Sequence, residues 1–370
     1  MPWPVLLMAR ALDAGGSERQ LAEMAKALDR SRFEPHVGAF FPHGMRGEEL
    51  ARAGVTMVEF PVHSLKSVSA ARGAMQLARY IRRQGIRLVH TWDYPVTVFA
   101  IPVTRALTSA IAVSSQRAHR VLTPRSYLPL VRVTDRLAHA IVVNCEFLKN
   151  HLENDERVPI EKIHLCYNGI DTEVFHGLDR LRRPQLADSS LVIGVVCGLR
   201  PEKDLPTLLD AFSRVQQMQS GLKLAVVGSG TLLPDLEEQA RKLGMIGQCV
   251  FQPSTDQVAP WLQSMDIFVL PSLSEGFSNS LMEAMACGCC VIGSRVGGNS
   301  ELVHDGETGL LFEPGDAAGL AAALGKLIED QALRKKLAAA GKRKIHDHFS
   351  VQASADRVGE IYSELIERCG

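Results

Sequence analysis

Short runs of apolar, largely β-branched residues alternate with stretches of helical spacing along this chain, and the alternation occurs twice. In the first half the strand-like runs are residues 5–9, 35–41, 55–60, 86–90, 110–115 and 140–144. Between them, a Gly15-Gly16-Ser17-Glu18 turn opens a helix reaching Leu28, and 70–84 places Ala71, Ala74, Met75, Ala78 and Ile81 on one helical face. A turn-rich segment, 168–175, and a polar stretch, 178–190, interrupt the pattern. It then restarts, with strands expected at 191–197, 222–227, 249–252, 265–272, 291–294 and 309–312, and helices at 205–217 and 232–242. Strands alternating with helices in this way predict parallel, doubly wound sheets. Three helices, 317–328, 331–345 and 351–369, close the chain, with Ser350 an N-cap candidate for the last.

A length of 370 residues exceeds what one core usually serves, so two domains are expected, 1–182 and 183–350. The 41 basic and 41 acidic residues cancel, which removes any whole-chain bias towards nucleic acid. The first half is nevertheless net basic and the second net acidic, so an anionic substrate or membrane surface would meet the first. Cys287-Gly-Cys289-Cys290 contains a C-x-x-C but has no second pair at metal spacing. The other cysteines sit mostly in apolar runs, as expected of small hydrophobes in a reducing compartment. No apolar run approaches the ~18 residues of a membrane span. A cytoplasmic chain, peripheral at most on the inner face of the cell membrane, is the expectation.

The most specific motif is 275–288, EGFSNSLMEAMACG, which follows the strand-like MDIFVLPS. A strand, a polar turn and a helix start form the ligand-binding edge of an open α/β sheet. The unpaired N–H groups of the first helical turn suit a diphosphate, and the carboxylates Glu275 and Glu283 can accept hydrogen bonds from several hydroxyls. A diphosphate joined to hydroxyls describes a nucleotide sugar. Ser280-Leu-Met-Glu283 also fits a capping box, which would leave Glu283 structural. At 197–204, Arg200 and Lys203 follow a strand and can neutralise a diphosphate. Gly228-Ser-Gly230 lacks the third glycine of a dinucleotide fingerprint, Leu233 standing there, so a dehydrogenase is disfavoured. Gly297-Gly298 reads as a turn.

These stretches, in their order and spacing, resemble the retaining GT-B glycosyltransferases of family 4. The resemblance implies two Rossmann-like domains facing a central cleft. The first would bind the acceptor, the second the nucleotide sugar, and the terminal helix 351–370 would pack back on the first. It places Glu275 on the donor sugar and Glu283 on the ribose, with Gly276, Phe277, Ser278, Asn279, Ser280 and Leu281 around the donor. It matches Lys203, and Gly16 in a Gly-Gly-x-Glu turn. It departs at Gly198, where the family carries an arginine; Arg200 is the expected substitute. His119 resembles a histidine that reaches the donor sugar, with Arg117 and Arg120 rivals for the same space. His90 and Asp93 are read as an acid–base pair for the acceptor hydroxyl. Five arginines between 117 and 136 interleave with Tyr127, Leu128, Leu130 and Val131, a pattern suited to anionic lipid or an anionic acceptor.

The expected reaction is transfer of a sugar from a UDP- or GDP-sugar to a lipid-linked or polysaccharide acceptor, with no cofactor, no metal and no nucleic acid. An epimerase, or a protein that binds nucleotide sugars without turnover, is the alternative.

Overall fold

The computed structural model describes residues 1–13, 15–177 and 182–369. They form two compact units: Met1–Gly169 with the C-terminal segment from Val351, and Ile170–Ser350. The division falls at Gly169, ahead of the expected 182/183. Residues 178–181, where the expected linker begins, lie outside the described residues. The rest of that stretch is tied to the second unit, where Arg182 pairs with Asp266 at 2.6 Å and the Arg183 guanidinium lies 5.4 Å from the Trp261 ring centroid.

The first unit is built on strands β1 (Trp3–Ala11), β2 (Phe33–Phe41), β3 (Thr56–Glu59), β4 (Leu88–Thr91), β5 (Ile111–Gln116), β6 (Ala140–Val143) and β7 (Ile163–Leu165). All pair in parallel in the order β3-β2-β1-β4-β5-β6-β7. Both faces of β1 are covered, which is why it reads as a continuous apolar run rather than an alternation. Val5, Leu7 and Ala9 pack with Leu21 of the helix Gly16–Ala27 and with Val358, Ile361 and Tyr362 of the helix Val351–Cys369. Leu6 and Met8 face Leu77 and Ile81 of Val68–Gln84 and Val96 and Phe99 of Tyr94–Leu107. The last helix of the chain is therefore part of the first unit's core.

The second unit has β8 (Leu191–Val196), β9 (Leu222–Val227), β10 (Cys249–Gln252), β11 (Ile267–Leu270), β12 (Cys290–Ser294) and β13 (Leu310–Phe312). They run parallel in the order β10-β9-β8-β11-β12-β13. In each sheet the order reverses at a single place, between β1 and β4 and between β8 and β11. Such switch points hold the ligand crevice of doubly wound sheets, outside the carboxyl ends of the strands.

Candidate functional site

At the second unit's switch point, the loops after β8 and β11 bring two charges together. Pro201–Lys203 makes one 3-10 turn, Asp204 adopts φ 48°, and the helix Leu205–Val215 begins. This points Lys203 back across the edge, where its Nζ donates to Glu275 Oε1 at 2.5 Å, with the two side chains 14% and 11% exposed. Ser272 Oγ donates to the same oxygen at 2.7 Å. The backbone is locked as well: Leu273 N donates to Glu202 O at 2.8 Å, and Gly298 N to Gly276 O at 2.8 Å. Gly297 sits at φ +52°, and any Cβ there would strike the Glu275 carbonyl oxygen. The Gly297-Gly298 turn thus buttresses the Glu275 loop, a role that residue pattern alone left as a plain turn. Gly228 and Gly230 pack likewise against the carbonyls of Cys197 and Leu199.

Arg200 is exposed and pairs with Glu202 at 3.0 Å. Its Nε lies 3.3 Å from where a Gly198 side chain would begin, so the guanidinium passes close beside Gly198. The Cys197 thiol beside this cluster is pushed up to about 12, chiefly by burial, and stays protonated.

The helix Asn279–Ala286 is capped by Ser278, whose Oγ accepts from Leu281 N at 3.3 Å. The capping residue is not Ser280, so Glu283 does not hold the capping-box position that would have made it structural. Glu283 is instead a buried carboxylate, 3% exposed, one turn into the helix. Phe277 stacks 5.3 Å from Phe349 within the same unit.

The first unit's switch point is different. Asp93 follows β4 and caps the helix Tyr94–Leu107. Its Oδ1 accepts from Val96 N at 3.1 Å and its Oδ2 from Arg10 N at 2.6 Å. Burial raises its carboxyl to about 6. The expected His90–Asp93 acid–base pair is not formed. His90 is fully buried, with Nδ1 2.6 Å from the Tyr362 hydroxyl and Nε2 2.8 Å from Ser115 Oγ. Burial, then the nearby Arg117 charge, hold it well below its usual range, so it stays neutral. It ties the last helix to the sheet, a common fate of a core histidine. Arg117 Nη1 donates to Asn168 Oδ1 at 2.6 Å, and its guanidinium covers the Trp92 ring at 4.9 Å. Burial brings it down to about 10.

His119 Nδ1 accepts from Val121 N at 3.2 Å, and the ring stacks on His151 at 4.2 Å. Burial, then His151, lower its pKa. Gly16 starts the helix Gly16–Ala27 with Gly15 as its cap. The five-arginine stretch is not one basic face. Arg120 is buried on Asp135 at 2.6 Å and Glu156 at 3.1 Å, Arg132 pairs with Glu156, and Arg117 faces Asn168. Ser272, Trp92, Ser115 and Tyr362 were not singled out from sequence. Of these only Ser272, three residues from Glu275, left a local signal.

Among the described residues no cluster of potential metal ligands occurs, and no helix is long and apolar enough to cross a membrane.

Two parallel α/β sheets, one carrying a lysine–glutamate pair at its switch point, define a class of nucleotide-binding architecture. The family model described as Glycosyltransferase Family 4 matches residues 14–174, and that of Glycosyl transferases group 1 matches 179–344. The chain belongs to this group 1, family 4 glycosyltransferase family. It is 28% identical over 211 residues to N-acetyl-alpha-D-glucosaminyl L-malate synthase of Bacillus anthracis, covering 56% of this chain and 55% of that protein. The chain thus spans about half the length of such curated relatives. A glycosyltransferase from Rickettsia africae superposes with a TM-score of 0.86 at 21% identity, over 99% of both chains. Anabaena HepE in complex with UDP and glucose gives 0.85 at 20%, over 98% of this chain and 100% of that one. These likenesses show the GT-B fold.

Proposed function

We propose that the chain transfers a sugar from a nucleotide-sugar donor, a UDP-sugar by preference, to an acceptor hydroxyl in polysaccharide or glycolipid synthesis. The observation that carries the reading is the Lys203–Glu275 pair at the β8/β11 switch point, beside the N-terminus of a capped helix. UDP is favoured because a structural neighbour is in complex with it.

In this reading Glu275 orients the donor sugar through its hydroxyls, and Glu283 holds the ribose. An ammonium carries three donors, so Lys203 can keep Glu275 and still face the diphosphate. Its charge is balanced by Glu275, however, so Arg200 and the N–H groups of the helix Asn279–Ala286 supply the further stabilisation the leaving group needs. The bond from the anomeric carbon to the phosphate oxygen breaks while the acceptor oxygen bonds to that carbon on the same face. The acceptor proton passes to the departing phosphate, and configuration is retained. No protein nucleophile is assigned, and the diphosphate charge is met without a metal. Activity is therefore expected to survive a chelator.

The test is a thermal-shift panel of UDP, GDP, ADP and their common sugar conjugates. A rise with one nucleotide fixes the base. No rise on folded protein would overturn the donor site.

A second, finer reading is docking on an anionic membrane surface. Val121, Leu122, Leu130 and Val133 are exposed at 71%, 43%, 47% and 49%, in the same stretch as the exposed Arg125 and Arg136. Co-sedimentation with vesicles containing phosphatidylglycerol, compared with neutral vesicles, tests it. Equal sedimentation on both would sink it.

A further inference from the structure

We infer that a cavity in the first unit receives the anionic end of the acceptor, a phosphate or a carboxylate, on the side chains of Arg117 and Trp92. The inference rests on the reading above, in which the first unit takes the acceptor. The cavity, of about 130 Å³, opens at the carboxyl ends of β4 and β5 and is lined by Trp92, Asp93, Tyr94, Ser115, Gln116 and Arg117 among others. A single water needs roughly 10–15 Å³ of such volume, so a group of several heavy atoms fits.

Two residues of the cavity lining carry buried N–H groups that have no partner among the described residues. Trp92 is 1% exposed, its indole nitrogen can only donate, and Nε1 has no partner. Arg117 Nε is equally buried and unpartnered, although the residue as a whole keeps some exposure. Buried N–H groups without acceptors are costly and uncommon, so a small turn of either side chain towards the cavity would be rewarded by an acceptor oxygen bound there.

The charge points the same way. The Arg117 guanidinium rests on the Trp92 ring and on the neutral Asn168 amide, with no ion pair to a carboxylate among the described residues. The two acids lining the cavity are occupied. Asp93 accepts from the backbone of Arg10 and Val96, and Asp135 pairs with Arg120 at 2.6 Å. A desolvated cation without a counter-ion is what a bound oxyanion would repair. The lowered pKa of Arg117, brought down by burial, is the same imbalance seen from the proton's side.

The test uses the full chain saturated with UDP, so that the donor site is closed to free anions. Potassium phosphate and potassium acetate are titrated in separate arms against potassium chloride of equal ionic strength, read by tryptophan fluorescence and thermal shift. A saturable response to phosphate, to acetate, or to both is expected beyond the chloride arm, and the arm that responds names the anion. Arg117→Gln should weaken it about tenfold or more. Arg117→Lys, which keeps the charge but loses the Nε donor, should weaken it less, and Trp92→Phe should weaken the thermal response several-fold. No response beyond chloride in the wild type, or equal responses in wild type and Arg117→Gln, would overturn the inference. The UDP shift in the same samples separates the two readings. If it is absent while the anion response persists, the donor assignment fails and the anion site stands.

Discussion

The two sheets share a topology and end in edges of opposite character. At the β8/β11 edge a lysine and a glutamate meet at 2.5 Å, held by a serine and by backbone bonds from three loops. At the β1/β4 edge the central histidine is neutral and fully used, the aspartate is spent on backbone N–H groups, and the arginine beside them has no ion pair among the described residues. The difference lies in where the partners come from and what they carry. Lys203 and Glu275, 72 positions apart, are opposite charges from the same unit's sheet edge. His90 is held by Tyr362, 272 positions away on the last helix, and Arg117 by the neutral Asn168, 51 positions away.

The largest expected effect breaks the comparison outright. Glu275→Gln keeps an acceptor for Ser272 but removes the charge facing Lys203 and, in the proposed function, the donor sugar. Turnover should fall by about 10²–10³, the usual loss when a preorganised polar contact is removed from a reacting centre. The melting temperature should move by only a few degrees. Steady-state transfer assays and thermal denaturation check both, and a fully active variant would show that the charged edge is not where the chemistry happens. Next in size, Lys203→Ala should weaken UDP binding about tenfold, as loss of one charge-assisted contact does. Calorimetric titration of UDP measures it, and unchanged affinity would move the diphosphate elsewhere.

A smaller effect sharpens the contrast from the other side. Tyr362→Phe leaves His90 Nδ1 buried without its partner, which should cost about 1–3 kcal/mol of stability. Chemical denaturation of the variant reads this directly. The same variant should leave the Lys203–Glu275 edge, and hence UDP affinity, untouched. A loss of UDP binding would mean that the last helix serves the donor edge as well as the first unit's core.

The same contrast decides what was legible in the sequence. The strands of both switch points, the Glu275 loop and the Lys203 loop could be read, because β-branched runs and turn residues act locally. The strand Ile163–Leu165 was missed, being three residues long with a histidine in the middle. The helix Tyr94–Leu107 was also missed. It is rich in β-branched residues and carries Pro95 and Pro102, which lower helical propensity, although Asp93 as N-cap was a usable signal. Ser278 and Ser280 compete for one cap, and only backbone geometry separates them. His90 read as catalytic because its burial depends on Tyr362, which no local pattern announces.

The smallest expected effect is in the acid limb of stability, and it tests whether His90 is the neutral member of the first unit's edge. In the fold His90 takes a proton only well below its usual 6.5, whereas in the unfolded chain it protonates near that value. Between the two, the unfolded chain holds the extra proton, so stability is intact above about pH 6.5 and falls as pH drops below it. His36, His139 and His164 are lowered by burial in the same direction. Asp93 opposes them. With its folded value raised to about 6, the fold holds the extra proton between roughly pH 4 and 6, and there its contribution declines as pH rises. The histidine loss should therefore show most cleanly between pH 6.5 and 6, before Asp93 begins to offset it. His90→Gln, which keeps polar atoms for Tyr362 and Ser115 but cannot titrate, should flatten that limb in urea denaturation measured from pH 8 to 5. A variant as steep as the wild type would place the acid sensitivity on the other histidines and return His90 to the list of groups free to exchange protons.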